Sequence, residues 1–156
     1  MSTSYAFDDV DIKQYPRYFN TPNQRALVKK ISSLEHAETG LIFSSGMAAI
    51  STSLFSNLNS GDHLIVQGDL YGGTRNFIKK EFPKYNIEFS FTKNLKIESF
   101  QKEIRNNTKG IFIETPSNPL LKIVDLKKIG LIAKSNNLWS MIDNTFASPV
   151  NQNPVL

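Results

Sequence analysis

From residue 60 to the end of the chain, short apolar runs alternate with segments whose apolar residues recur every three or four positions. Apolar runs of this length are typical of buried strands, whereas the three-to-four spacing places apolar side chains on one face of a helix. The predicted strands are residues 64–66, 87–91, 111–113 and 138–142. The predicted helices are residues 74–84, 97–104 and 126–133, the last with Asp125 as its N-cap.

This alternation predicts an α/β fold in which a mostly parallel sheet is covered by helices on both faces. Two further helices are predicted earlier in the chain, one from Pro22 to Gly40 and one from Met47 to Leu58. Residues 1–19 show little periodicity and are predicted to form an N-terminal arm, so the domain itself is expected to cover residues 20–156.

Composition excludes several kinds of site. The chain contains no cysteine, which excludes disulfides and thiolate metal centres, and its two histidines, His36 and His63, are interpreted as structural or surface residues. The net charge of +4 comes from scattered lysines and does not indicate a nucleic-acid surface. No apolar run is long enough to span a bilayer, and we expect a cytoplasmic protein. Neither GxxxxGK[ST] nor GxGxxG occurs, which disfavours a nucleotide site.

Ligands of parallel sheets bind outside the carboxyl ends of the strands, so the residues that follow each strand are the candidates. Ser44-Ser45-Gly46 opens a helix and could bind an anion through free backbone N–H groups, although an ordinary serine N-cap would explain it equally well. Tyr71 precedes two glycines and is either a turn residue or an aromatic ring that stacks on a planar ligand and supplies an acid or base.

Two more candidates follow the third and fourth predicted strands. Asn118 could donate a hydrogen bond to a ligand oxygen or merely stabilise its own turn. Asp143 directly follows an apolar strand, and a carboxylate there needs a positive partner because burial disfavours its charge. A protonated heterocyclic nitrogen, a helix N-terminus or a lysine would each satisfy it.

Four blocks of the sequence resemble, in order and spacing, those of the cystathionine γ-synthase group of Cys/Met-metabolism (trans-sulfuration) enzymes, which depend on pyridoxal 5′-phosphate (PLP). The blocks are residues 41–50, which contain Ser44-Ser45-Gly46-Met47, residues 69–74, Asp69-Leu70-Tyr71-Gly72-Gly73-Thr74, residues 114–120, Glu114-Thr115-Pro116-Ser117-Asn118-Pro119-Leu120, and residues 143–149, Asp143-Asn144-Thr145-Phe146-Ala147-Ser148-Pro149. The resemblance implies a fold-type-I PLP-dependent transferase large domain.

The resemblance also implies roles for particular residues. Gly46 and Met47 would bind the PLP phosphate through their backbone, Tyr71 would stack on the ring and act as the catalytic acid or base, and Asp143 would pair with the ring nitrogen. Asn118 would contact the ring oxygen, and Thr145 would lie close to the ring. Tyr15 and Arg17 would bind the phosphate of the neighbouring subunit in a homodimer or homotetramer.

Three departures from the family pattern are expected to matter. The covalent (Schiff-base) lysine should lie about 25 residues after Asp143, so it is expected beyond Leu156 together with a serine and threonine of the phosphate site and the C-terminal domain. Some N-terminal residues are expected to be missing as well, which makes the chain a fragment of a longer enzyme or a truncated gene product. The segment after Arg17 also differs from the shorter glycine-containing turn of many relatives.

The function implied by the resemblance is γ-replacement or γ-elimination on homoserine esters or cystathionine. Gly73 favours a synthase, a sulfhydrylase or a cystathionine γ-lyase over a methionine γ-lyase, whose relatives typically have cysteine there. The chain alone is expected to be inactive. The alternative is a non-catalytic, truncated remnant that binds PLP weakly or only assembles.

Overall fold

A computed structural model describes residues 4–5, 11 and 13–155 of the chain. The chain divides into two compact units, residues 1–43 with 155–156, and residues 44–154. None of the helices in the described ranges has the length and apolar character that crossing a membrane requires.

The first unit contains a short 3-10 helix, Pro16–Tyr18, and helix α1, Pro22–Leu34. The predicted start of α1 is confirmed, with Thr21 as N-cap and its N–H donating to Gln24 Oε1 at 3.3 Å. The prediction that α1 continues to Gly40 is wrong. His36 adopts a left-handed φ of 54°, and a helix cannot continue through that conformation.

The second unit is the predicted α/β fold. Its four strands are all parallel and lie in the order β2-β1-β3-β4. The elements, in chain order, are α2 (Gly46–Asn57), β1 (His63–Val66), α3 (Gly72–Glu81), β2 (Glu88–Phe91), α4 (Ile97–Gln101), β3 (Thr108–Glu114), α5 (Leu126–Ser135), β4 (Trp139–Asp143) and α6 (Ser148–Asn151).

Two predicted helix ends need correction. The helix predicted for residues 74–84 begins two residues earlier and gives way to a 3-10 turn, Phe82–Tyr85, because Pro83 has no N–H with which to continue the α-helical hydrogen bonds. The helix predicted for residues 97–104 ends at Gln101, and the chain then turns toward β3.

Helices cover both faces of the sheet, which explains the continuous apolar character of β1 and β3. On one face, α2, α3 and the 3-10 turn after α3 pack through Leu54, Ile78 and Phe82, respectively, all fully buried. On the other face, α4 and α5 pack through Phe100 and Ile129. The two layers hold the strands in fixed register, so the loops at the carboxyl ends of the strands have defined starting points.

His63 begins β1 at the opposite end of the sheet from those loops and is fully buried. Its Nδ1 lies 2.8 Å from Thr108 Oγ1 and its Nε2 lies 3.0 Å from Ser90 Oγ. Burial lowers the pKa of His63, and the nearby Arg105 guanidinium lowers it further, while Glu88 and Glu103 oppose the shift. This confirms the structural interpretation of His63.

The lowered pKa predicts an acid-sensitive fold. In the unfolded chain the His63 imidazole takes up a proton near pH ~6.5, whereas in the folded protein it does so only at a lower pH. The stability that depends on neutral His63 is therefore fully present above pH ~6.5 and is lost as the pH falls. We expect the free energy of unfolding to decrease by up to about 1.4 kcal/mol per pH unit for this one proton.

Urea unfolding measured on either side of pH ~6.5 checks this expectation. His63→Gln should abolish most of the decrease. The exposed His36 offers the matched control, because His36→Asn suits the left-handed backbone and should leave the decrease intact. An undiminished decrease in His63→Gln would assign the effect to another group.

Candidate functional site

A cavity of about 330 Å³ lies at the carboxyl ends of β3 and β4 in the second unit. That volume falls within the range of about 300–1,000 Å³ that is typical of small-molecule sites. Six of the eight site residues predicted from the sequence line it: Gly46, Met47, Tyr71, Asn118, Asp143 and Thr145. The other two, Tyr15 and Arg17, belong to the first unit, where Tyr15 stacks edge-on against Tyr18 and Arg17 is exposed.

The N-terminus of α2 forms one wall of the cavity. Ser45 is the N-cap, and its Oγ accepts a hydrogen bond from Ala48 N at 3.1 Å, as the ordinary capping interpretation expects. Among the described residues, no acceptor meets the N–H groups of Gly46 or Met47. Both residues line the cavity, and a Cβ added at Gly46 would meet nothing within 4 Å, so the start of α2 borders open space. The capping and anion-binding interpretations are therefore compatible.

Tyr71 stands at the N-terminus of α3, with 45% of its surface exposed. The ring lies directly over the backbone of Gly73, where an added Cβ would come within 2.4 Å of the Tyr71 ring carbon Cε1. An added Cβ at the preceding Gly72 would meet nothing within 4 Å outside its two chain neighbours, of which Tyr71 is one. The ring position therefore depends on the absence of a side chain at residue 73.

Asp143 ends β4 and is half-buried. Both the backbone N–H and the hydroxyl of Thr145 donate to Asp143 Oδ1, at 3.1 and 2.5 Å. In the described part of the chain, no lysine or arginine forms an ion pair with Asp143. The lysine partner that the sequence left open for Asp143 is therefore not observed. Asp143 Oδ2 accepts no hydrogen bond from the described residues.

Glu114 also lines the cavity, and it was named only as part of a sequence block, with no role. Its side chain is buried, with 4% exposed, and accepts two backbone hydrogen bonds, from Tyr71 N at 2.9 Å and from Asn118 N at 2.6 Å. Burial raises the pKa of Glu114, and repulsion from Asp143 and Asp69 adds to this, while the two N–H donors lower it. The apolar run before it could have marked Glu114 as a strand-end carboxylate like Asp143.

The entire chain, residues 1–156, matches the model of the Cys/Met metabolism PLP-dependent enzymes. The chain belongs to this family. It is 44% identical over 142 residues to a cystathionine gamma-lyase of Bacillus subtilis, covering 91% of the chain and 37% of that protein. It is 40% identical over 157 residues to a cystathionine gamma-synthase/O-acetylhomoserine (thiol)-lyase of the same species, covering 99% of the chain and 42% of that protein.

The fold comparison agrees. The structure matches that of a cystathionine gamma-lyase from Lactobacillus plantarum, solved in complex with L-serine, with a TM-score of 0.90, 37% identity, and coverage of 99% of this chain and 41% of the other. The chain therefore spans about two fifths of the length of these relatives. The predicted PLP-enzyme family and α/β fold class are confirmed.

The chemistry of the cavity residues fits PLP. Two backbone N–H groups at a helix N-terminus with open space before them suit a phosphate. A half-exposed aromatic ring suits a planar heterocycle. The Asp143 carboxylate is an acceptor suited to a protonated ring nitrogen, and the half-buried Asn118 side chain is an amide suited to a ring oxygen.

The contact between Gly73 and Tyr71 generates a structural prediction. Gly73→Ala should displace the Tyr71 ring, because the new methyl group would occupy the space that the ring now fills. Gly130→Ala is the control, since it adds the same methyl group within helix α5, where an added Cβ meets nothing within 4 Å and Tyr71 is not a chain neighbour. Crystal structures of both variants provide the measurement. A Tyr71 ring in its original place in Gly73→Ala would contradict the prediction.

Proposed function

We propose that this chain provides the ring-binding wall and part of the phosphate-binding wall of a PLP site in a trans-sulfuration enzyme of methionine and cysteine metabolism. The observation that carries the proposal is the convergence of six expected PLP contacts on one cavity of the second unit. The family is one of PLP-dependent enzymes that cleave or form carbon–sulfur bonds, as the names of the relatives indicate.

When bound, PLP supplies an electron-accepting ring that stabilises negative charge on a substrate carbon. In the proposed site, Gly46 and Met47 donate their N–H groups to the phosphate. Asp143 Oδ2 would accept a hydrogen bond from the protonated ring nitrogen, and Thr145 holds Oδ1 so that the carboxylate keeps its orientation. Asn118 donates to the ring oxygen.

Tyr71 is the proposed catalytic residue. Its ring would stack on the cofactor, and its phenol oxygen would accept or return a proton at the substrate. With 45% of its surface exposed, Tyr71 is accessible to a substrate that enters the cavity. The ring position depends on Gly73, which supports the proposal that the enzyme is a synthase, sulfhydrylase or cystathionine γ-lyase rather than a methionine γ-lyase.

The proposed reactions are γ-replacement and γ-elimination on homoserine esters or cystathionine. The names of the relatives, which include both a gamma-lyase and a gamma-synthase/O-acetylhomoserine (thiol)-lyase, support this substrate class. We also propose that the 156-residue chain by itself does not turn over substrate. In support, no lysine occurs among the described residues that line the cavity, so none of them can bind PLP covalently.

We propose further that the active protein is a dimer or tetramer in which Tyr15 and Arg17 contact the phosphate in the neighbouring subunit. Arg17 is exposed, and its planar guanidinium can bind two phosphate oxygens at once. Arg17 belongs to the 3-10 helix that begins at Pro16. The Pro16 carbonyl accepts a hydrogen bond from Gln24 Nε2 at 2.9 Å, which connects this 3-10 helix to α1.

Asp143→Asn tests the ring-nitrogen contact. The amide cannot keep the ring nitrogen protonated, so turnover of cystathionine by the complete natural protein should fall by at least about a hundredfold, on the order of 3 kcal/mol. Asp125→Asn is the matched control, because asparagine caps α5 as well as aspartate does and the residue lies outside the cavity.

The same assay includes the wild-type protein reconstituted with PLP and the 156-residue chain alone. A reconstituted wild-type protein without visible absorption would refute the proposed function. Turnover by the isolated chain would refute its proposed inactivity, and equal losses in Asp143→Asn and Asp125→Asn would refute the role of Asp143.

Subunit hybrids test whether Arg17 acts on the neighbouring subunit. When Arg17→Ala and Asp143→Asn subunits are co-assembled, one site of each mixed dimer should combine an intact Asp143 with an intact Arg17 from the other subunit. We therefore expect activity to be partly restored, to about a quarter of the wild-type value for random mixing of two weakly active parents. If Arg17 acts within its own subunit, mixing restores nothing.

A further inference from the structure

Glu114 is a buried, charged side chain to which the proposed mechanism assigns no role. It ends β3, lines the cavity and is 4% exposed. No lysine or arginine among the described residues forms an ion pair with it. A carboxylate that is buried without a cation is costly, so the hydrogen bonds that it accepts must account for its presence.

Those hydrogen bonds connect two separate loops. Glu114 Oε2 accepts the N–H of Tyr71, which leads into α3, and Glu114 Oε1 accepts the N–H of Asn118, in the loop after β3. Because each oxygen faces a donor, the ionised form satisfies both, whereas a protonated form would turn its own O–H toward one of the N–H groups.

The backbone of Glu114 is itself held in place. The buried Gln67 donates from Nε2 to Glu114 O at 2.8 Å and accepts from Glu114 N at Oε1 at 3.2 Å. The carboxylate therefore projects from a fixed point, and the two loops are held relative to the sheet rather than only to each other.

We propose that Glu114 is a positioning residue, which sets the Tyr71 ring and the Asn118 amide in the cavity at once through their backbone N–H groups. The proposal rests on the proposed function in that these two side chains are taken as the PLP contacts. Glu114 itself contacts neither substrate nor cofactor in this role.

The first test is hydrogen exchange in the complete, cofactor-free protein, resolved at the amides of residues 71 and 118. Glu114→Gln keeps the shape but can accept only one of the two N–H groups, since its amide NH₂ faces the other. We expect at least one of the two amides to exchange about tenfold faster, the value for the loss of one hydrogen bond. Unchanged rates at both amides would overturn the proposal.

Thr115→Val is the matched control. Thr115 is equally buried, follows Glu114 directly, and accepts a backbone hydrogen bond at its Oγ1 from Val124 N at 3.1 Å. The variant should speed exchange at residue 124 and leave residues 71 and 118 unchanged. Equal acceleration at residues 71 and 118 in both variants would reduce Glu114 to a general structural residue and overturn the proposal.

The second test is PLP affinity, followed by absorption, in a mutant cycle. Glu114→Gln should weaken PLP binding about tenfold in the wild-type background. It should change binding by less than about twofold when Tyr71→Ala and Asn118→Ala are already present, because the side chains that it positions are then gone. An equal loss in both backgrounds would show that Glu114 acts by another route.

The two tests separate this proposal from the proposed function. If the wild-type protein does not bind PLP, the proposed function fails, yet the exchange rates still report whether Glu114 holds the two loops. If PLP binds and neither exchange nor affinity responds to Glu114→Gln, only the positioning role fails. Should the Gln variant not fold, Glu114→Asp gives the same readings, because a carboxylate one methylene shorter cannot reach both N–H groups.

Discussion

The parallel pairing of β3 with β4 sets Glu114 opposite Asp143, so that two carboxylates stand side by side where the sheet ends. Burial raises the pKa of Glu114, and the negative charge of Asp143 adds to this effect. Hydrogen bonds stabilise both carboxylates. Glu114 accepts two backbone N–H groups, and Asp143 accepts the N–H and the hydroxyl of Thr145. The loops of the cavity are arranged around these two acceptors.

The parts of the site are consequently not independent. Moving the loop that carries Tyr71 breaks a hydrogen bond to the carboxylate that also holds Asn118. Gln67 extends the same connection from the end of β1 to the end of β3. A cavity whose walls share one acceptor is pre-organised by the sheet, which reduces the entropy that a ligand must remove when it binds.

The sequence predicted what depends on local pattern and on the general geometry of parallel sheets. Apolar runs located the four strands, and the residues after them led to Tyr71, Asn118 and Asp143 at one end of the sheet. What it could not predict depends on contacts between distant residues. The two hydrogen bonds that Glu114 accepts can be recognised only in the folded structure. Asn118 lies 4 positions from Glu114 along the chain, but Tyr71 lies 43 positions away.

The same limit applies to glycines and to helix ends. Gly110 permits the close approach of the Trp139 ring from the adjacent strand, where an added Cβ would come within 2.3 Å of a ring carbon. Nothing in the sequence around Gly110 indicates that neighbour. The end of α1 was also misplaced, because the left-handed conformation is adopted at His36, a residue type that does not by itself predict a helix terminus.

The charge distribution of the cavity bears on the proposed oligomer. Among the described residues that line it, two are carboxylates and none is lysine or arginine. The N-terminus of α2 supplies only about half a positive charge, whereas a phosphate group carries about two negative charges at neutral pH. A cationic side chain from outside this lining is therefore needed to balance the phosphate. The exposed Arg17 of a neighbouring subunit can supply that positive charge. This charge balance is an electrostatic argument for the proposed oligomer.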